Sequence, residues 1–165
     1  MEEEAKIKYP ILKGLNRSEL FADLSDKAFD KMNLIGFPDR KSEEWKYTRV
    51  NKLLKANYLP KKNVELNQIE NWIFPDIKGP TIVLENGMFN PTLSCLGANE
   101  GLFIKSLVKT NKEKDNVIGE MSIDDHNPFS LFNLAFLQDG CSIEVEKNKN
   151  IEQTVHIVHL STDSK

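Results

Sequence analysis

The periodicity of the apolar residues changes at Gly79-Pro80, and this change constrains the fold more than any other feature of the chain. Before it, apolar side chains recur every three or four residues, the spacing that places them on one face of a helix. After it, short runs rich in β-branched residues are separated by turn residues, which is typical of strands. The sequence therefore predicts an α+β protein, with a helical segment over residues 1–80 and a mainly antiparallel β region with one buried helix over residues 81–165.

The helical segment contains one well-delimited helix. Ser25 is predicted as its N-cap, because a serine hydroxyl can accept a hydrogen bond from a free backbone N–H. Gly36 is predicted as a left-handed C-cap, and Pro38 prevents the helix from continuing. Its apolar positions are Ala28, Phe29, Met32 and Ile35. Weaker patterns predict three more helices: residues 18–24, a helix capped by Thr48 that ends near Asn57, and one capped by Asn67 that ends at Pro75.

The β region opens with a predicted hairpin. Residues 81–85 form its first strand, and Asn86-Gly87 is the dipeptide that most favours a two-residue type I′ turn. The returning strand covers residues 88–94, where Pro91 confines it to a sheet edge or a bulge. Further along, residues 102–108 are predicted as a third strand and residues 109–125 as an exposed polar loop.

A buried helix follows the polar loop. Asn127 is its predicted N-cap, and Pro128 occupies the first helical position, where a missing N–H has no cost. The residues up to Gly140 leave almost no polar face, so the helix should be buried on most sides.

Two strands complete the chain, over residues 141–146 and 154–160. The last one carries apolar side chains on both faces, which predicts a neighbour on each side. Lys165 follows only five residues later, which is an abrupt ending for a strand of this kind.

Composition excludes several classes of protein. A transmembrane helix needs about 20 apolar residues, whereas the uncharged apolar runs here are only a few residues long. The N-terminus is acidic, unlike a signal peptide, so a cytoplasmic protein is predicted. The net charge is −3 and only three of the 22 basic residues are Arg, which disfavours nucleic-acid binding. Residues 1–62 carry 14 basic and 10 acidic groups, and residues 63–165 carry 8 and 15.

The residues that most often bind metals are scattered. Cys95 and Cys141 have no partner at zinc-site spacing, so both are expected to be reduced and partly buried. His156 and His159 would point to opposite faces of a strand. They could therefore share a metal with His126 only through tertiary contacts, and no metal site is predicted.

Motifs for catalysis are also missing from the sequence. The glycines at 97 and 101 lack the Lys-Ser/Thr of a phosphate-binding loop, so a turn is expected there. Asp124-Asp125 precedes the buried helix, and helix-dipole complementarity accounts for the pair. No catalytic or cofactor-binding residue is predicted, and the protein is not expected to be an enzyme.

Residues 36–48, called here the 36–48 segment, combine aromatic residues, both charges and a predicted helix cap. In one interpretation Trp45 and Tyr47 fill the core of the helical region, while Lys46 and Arg49 are solvated. In the other, the segment is a docking loop, since exposed Trp and Tyr are common interface anchors. The first interpretation is favoured on physical grounds.

The same segment resembles a signature of the SufB/SufD family of iron–sulfur cluster assembly proteins, in particular its SufD-type members. The matching residues are Gly36, Pro38, Lys41, Glu43 or Glu44, Trp45, Lys46, Tyr47 and Thr48. Further similarities, in the same order along the chain, lie at residues 82–89, Leu93-Ser94, residues 132–136 with Gly140, and residues 151–160.

The resemblance implies the N-terminal part of a non-enzymatic scaffold in the SUF system. Its partners would be a SufB-like paralogue and a SufC-like ABC ATPase, and the whole complex, not this part, would handle iron or an iron–sulfur cluster. The family fold continues as a right-handed β-helix, so the chain is expected to be truncated where the β-helix starts. The family's cluster-related residues lie beyond Lys165, so none is transferred to this sequence.

Two other functions remain open from the residues alone. One is a free-standing protein-binding module unrelated to cluster assembly. The other is a small metal-binding or thiol protein that uses His126, His156, His159 and the two cysteines.

Overall fold

The computed structural model describes residues 8–12, 14–17, 19–39, 41–56, 72–76, 78–110, 119, 123 and 126–161. The chain forms two compact units. The first combines Met1–Leu59 with Val117–Leu137, and the second combines Pro60–Asn116 with the final stretch Gln138–Lys165. Each unit therefore joins two stretches that are distant in sequence, whereas the periodicity change suggested one division at residue 80.

The described helices and strands are short. The helices are α1 (Ala22–Ile35), α2 (Val50–Leu54), α3 (Leu107–Thr110) and α4 (Pro128–Ala135). Three 3₁₀ turns lie at Pro10–Leu12, Glu19–Phe21 and Glu43–Trp45. The strands are β1 (Thr81–Glu85), β2 (Met88–Phe89), β3 (Leu102–Ser106), β4 (Cys141–Val145) and β5 (His156–Leu160).

Helix α1 begins at Ala22, before its predicted cap, and continues directly from the 3₁₀ turn Glu19–Phe21. Ser25 is not the N-cap. It lies inside the helix, is fully buried, and donates a hydrogen bond to the Ala135 carbonyl at 2.5 Å. The end of the helix was predicted correctly, since the Gly36 N–H donates to the Met32 carbonyl at 2.8 Å. However, Gly36 has φ 73° and ψ 166°, an extended glycine conformation and not the left-handed helical one.

Helix α4 begins as predicted. The Asn127 side chain accepts a hydrogen bond from the Phe129 N–H at 2.9 Å, and Pro128 lies in the first turn. The helix ends at Ala135, before the predicted stop at Gly140. All of its residues are described, and only Asn133 is exposed, as its apolar sequence predicts.

The core of the first unit lies where α1 and α4 pack together with α2 and the first 3₁₀ turn. Burying these side chains stabilises the unit by removing apolar area from water. The buried residues are Ile11, Leu12, Ala28, Phe29, Met32, Val50, Leu54, Leu131, Leu134 and Ala135.

The other two helical predictions are tested only in part. Helix α2 follows Arg49 and not Thr48, and no side chain caps its start. Its predicted end at Asn57 lies outside the described residues, as do Asn67 and most of the fourth predicted helix. The same holds for most of residues 109–125, including Asp124-Asp125.

The second unit contains a three-stranded sheet in the order β2-β1-β5. Strands β1 and β2 are antiparallel, and the turn has φ 50° at Asn86 and 85° at Gly87, as a type I′ turn requires. Strand β2 has two residues only, shorter than predicted, because it ends before Pro91.

Strand β5 pairs with β1 in parallel, from Thr81 opposite His156 to Glu85 opposite Leu160. The sheet is therefore mixed. Within the described residues β1 is the hydrogen-bonded neighbour of β5, and the far side of β5 is an edge. One of its faces is buried at Val158, whereas Ile157 is 42% exposed.

A separate two-stranded sheet joins β3 and β4 in antiparallel register, with Leu102 opposite Val145 and Ser106 opposite Cys141. Strand β3 ends at Ser106, and the chain turns into α3 where the sequence predicted two more strand residues.

Candidate functional site

Local hydrogen bonds give the 36–48 segment a defined shape. The Asp39 carboxylate accepts from the Lys41 N–H at 2.8 Å and from the Ser42 hydroxyl at 3.3 Å. The Trp45 N–H then donates to the Ser42 carbonyl at 3.0 Å, which forms the 3₁₀ turn Glu43–Trp45. The Asx-type turn at Asp39 thus fixes the backbone conformation of the residues that precede Trp45.

Aromatic contacts attach the segment to the first unit. The Phe37 ring lies 4.8 Å from Tyr9 in an edge-on arrangement, measured between ring centroids, and 5.3 Å from Phe129. Trp45 also packs on Phe129, with ring centroids 5.0 Å apart. These separations are in the range where aromatic pairs add stability beyond their buried area.

Trp45 and Tyr47 have different roles. Trp45 is partly buried and packs against the core of the unit, so the core interpretation is correct for it. Tyr47 is 92% exposed and contributes nothing to that core, so the same interpretation is wrong for Tyr47. The 3₁₀ turn ends at Trp45, whose ring contacts Phe129 of α4, and Tyr47 follows the turn.

A cleft of about 470 Å³ opens beside Trp45. Its polar lining includes three exposed cations, Lys46, Arg49 and Lys52, and one carboxylate, Asp39. The Lys46 ammonium also lies 5.7 Å from the centre of the Tyr47 ring, a distance compatible with a weak cation–π contact. The arrangement is suited to contacts with negatively charged groups. The sequence pointed to Trp45, Tyr47, Lys46 and Arg49, but it gave no reason to group Lys52 with them.

The second unit contains a buried carboxylate that the sequence did not single out. One oxygen of Asp139 accepts from the Ser106 hydroxyl at 2.8 Å, and the other accepts from the Phe89 N–H at 3.1 Å. The Val108 N–H donates to the first oxygen at 3.3 Å. Asp139 therefore links β2, β3 and α3. In the sequence, Asp139 only precedes Gly140, where the buried helix was predicted to end, and that pattern does not indicate this role.

The two cysteines differ in environment. Cys95 is exposed, contrary to the expectation of partial burial, and Cys141 is half-buried. Burial, and secondly the negative charge of Asp139, raise the pKa of the Cys141 thiol above its usual range. A raised pKa lowers the thiolate fraction, and with it the reactivity of Cys141.

The histidines do not form a site. His126 and His159 are exposed, and His156 packs against Phe74 with its Nδ1 buried and without a hydrogen-bond partner. In the ranges that the structure describes, no group of three His, Cys, Asp or Glu side chains is arranged to hold a metal ion. Gly101 belongs to the turn that leads into β3, and Gly97 lies in the irregular stretch before that turn.

The sequence matches the N-terminal region of SufBD proteins over residues 12–157. The match includes the 36–48 segment, helices α1 and α4, strands β1 to β4, and the first two residues of β5.

The chain belongs to the SufBD family.

Similarity to another member of the family supports this assignment. The chain is 23% identical over 141 residues to an iron–sulfur cluster assembly SufBD family protein of Synechocystis sp.. The aligned part covers 81% of this chain but 31% of the Synechocystis protein, so the chain spans about a third of that relative's length.

The length and hydropathy of the chain's helices bear on whether any of them could span a membrane. None of the helices in its described part combines the length and the apolar character needed to cross a bilayer.

Proposed function

We propose that this chain is the N-terminal part of a SufD-like scaffold subunit in the SUF system for iron–sulfur cluster assembly. It would act in the cytoplasm without catalysis, through a structural and partner-contact role. The family match over residues 12–157 carries the proposal, and the resemblance of the 36–48 segment to SufD-type members favours SufD over SufB.

The partners in this proposal are a SufB-like paralogue and a SufC-like ABC ATPase, and the complex as a whole would handle the iron or the cluster. Two features support a contact role for this region. Tyr47 is 92% exposed on a segment held by local hydrogen bonds, and the neighbouring cleft is lined by three cations that form no ion pair with any residue the structure describes. A rigid support with an exposed aromatic residue is typical of a docking surface.

We also propose that β5 leads into a right-handed β-helix. Its parallel pairing with β1 supports this, because parallel strands in register are the repeating contact of such a solenoid. The edge of β5 would then be covered by the next parallel strand.

Co-purification tests the function. A full-length SufBD protein that carries this region would be expressed with a tagged SufC-like ATPase and a SufB-like paralogue, with and without the region that corresponds to residues 1–165. We expect the deletion to lower recovery of the paralogue or the iron and sulfide content of the complex. Unchanged recovery and unchanged cluster content would contradict the proposal.

The alternative of a free-standing binding module makes the opposite prediction. The intact protein would then fail to co-purify with either partner, and its deletion would leave cluster content unaffected.

A further inference from the structure

Three cations line the cleft beside Trp45. Lys46, Arg49 and Lys52 are exposed, and among the described residues none of the three forms an ion pair or a side-chain hydrogen bond to a carboxylate. Arg49 directly precedes α2 and Lys52 lies within it, and both line the cleft together with Lys46. Like charges held on one surface repel each other, so an anionic ligand would relieve that repulsion.

The carboxylate of the cleft does not neutralise them. The Asp39 Oδ1 already accepts from the Lys41 N–H and the Ser42 hydroxyl, and these bonds hold the turn of the 36–48 segment. Three positive charges therefore face one negative charge that has a structural role.

Aromatic residues provide the apolar surface at and beside the cleft. Trp45 forms a wall that is anchored on Phe129. Tyr47 does not line the cleft, but in the chain it lies between two lining residues, Lys46 and Thr48, and its almost fully exposed ring is 5.7 Å from the Lys46 ammonium. Anchored aromatic residues beside charged groups are the pattern of a protein interface hot spot, since they bind without much loss of side-chain freedom.

We propose that this cleft binds an acidic segment of a partner polypeptide. Carboxylates of that segment would pair with Lys46, Arg49 and Lys52, and an apolar side chain would pack on Trp45 and Tyr47. Cations carried by separate side chains of a loop and a helix suit several spaced carboxylates better than one compact anion. A net charge of −3 with three Arg argues against nucleic acid. The inference rests on the proposed partner-contact function and names the chemistry of the partner.

Fluorescence anisotropy with the purified chain tests the site. The probe is a labelled peptide of four Glu-Glu-Leu repeats, and the matched neutral probe has Gln in place of Glu. A single-stranded DNA oligonucleotide of similar length provides the nucleic-acid comparison. The site variant is K46Q/R49Q/K52Q. The control variant is K27Q/K78Q/K147Q, which removes the same net charge from exposed positions outside the cleft.

We expect saturable binding of the acidic peptide, weakened at least about tenfold in the site variant and little changed in the control variant. Tyr47→Ala should weaken binding at least about fivefold at unchanged thermal stability. For the unsubstituted chain, raising the salt from about 0.05 M to about 0.5 M should weaken binding of the acidic peptide, because ion pairs at the surface are screened.

Four results would overturn the inference: equal binding of the neutral peptide, equal loss in the control variant, tighter binding of the DNA, or no saturation up to about 1 mM acidic peptide. If any of these occurred while the deletion still disrupted co-purification, the cleft would be rejected and the proposed function would stand. If the peptide bound as expected but the deletion had no effect, the proposed function would fail and the site would remain.

Discussion

Trp45 and Tyr47 are two residues apart in the chain and lie in opposite environments. Trp45 packs on Phe129 at the margin of the first unit's core, whereas Tyr47 projects into solvent. Residue type does not explain the difference, since both are large aromatics with a polar group. Their positions do: Trp45 is the last residue of the 3₁₀ turn and its ring contacts Phe129 of α4, whereas Tyr47 lies beyond the turn.

Substituting each aromatic residue separates these roles. Trp45→Ala should lower the free energy of unfolding by about 2–3 kcal/mol, less than the cost for a fully buried Trp because the side chain is only partly buried. Tyr47→Ala should change it by no more than about 0.5 kcal/mol. Urea unfolding followed by circular dichroism measures both. Equal effects would contradict the assignment of Trp45 to the core and Tyr47 to the surface.

Cys141 should titrate at a higher pH than an ordinary thiol. Burial and the Asp139 carboxylate both disfavour its thiolate, so its alkylation by iodoacetamide should reach half-maximal rate above the pH of about 8.5 typical of a free cysteine. The measurement uses a Cys95→Ser background, which leaves one thiol. In Asp139→Asn the midpoint should move to lower pH, because one negative charge is lost, yet it should stay raised by burial. A midpoint that does not move would exclude Asp139 as a cause.

At the scale of elements, Asp139 joins pieces of the second unit that the chain does not connect directly. Its two carboxylate oxygens serve β2, β3 and α3 at once. A buried carboxylate is tolerated only when its oxygens are satisfied by donors, which is the case here. The same carboxylate accepts hydrogen bonds from two backbone N–H groups, those of Phe89 and Val108.

Asp139→Ala should therefore destabilise the chain by about 2–4 kcal/mol, because the Ser106 hydroxyl and the Phe89 N–H lose their acceptor inside the protein. The Val108 N–H keeps a second acceptor, the Ser106 Oγ at 3.2 Å. Asp76→Ala is the matched control, an exposed acid in the same unit that should cost at most about 0.5 kcal/mol. Chemical denaturation of both variants provides the comparison. A loss no larger than in the control would show that Asp139 does not stabilise this region.

At the scale of the whole molecule, each compact unit is assembled from two separate stretches of sequence. The first 59 residues share their core with α4, which contributes Leu131, Leu134 and Ala135. Ser25 reinforces this connection through its hydrogen bond to Ala135. The helical segment is thus completed by a helix that the chain reaches only after passing through β1, β2 and β3.

A fragment of residues 1–80 should consequently fail to fold on its own. Without α4, the apolar face of α1 around Phe29 and Met32 would be exposed to water. We expect no cooperative thermal transition, and increased binding of the dye ANS relative to the intact chain. A sharp transition in the isolated fragment would mean that residues 1–80 form a domain and that α4 is dispensable.

Much of the local structure and part of the candidate site could be predicted from the sequence. The type I′ turn at Asn86-Gly87 and the Asn127 cap of α4 were predicted, because each depends on residues a few positions apart. The predicted Ser25 cap was wrong, since the hydroxyl instead meets a carbonyl that is 110 residues away in the chain. The sequence identified the 36–48 segment as unusual but could not separate Trp45 from Tyr47.

The sequence by itself determined the family, the change from helical to extended structure near residue 80, the type I′ turn at Asn86-Gly87 and the Asn127 cap of α4. Only the tertiary structure decided that α4 completes the first unit, that β5 pairs with β1 in parallel, and that Lys52 joins Lys46 and Arg49 at one cleft. The physical reason is range. Capping and turn conformations are set by neighbouring backbone groups, whereas burial and strand pairing depend on residues that meet only after the chain has folded.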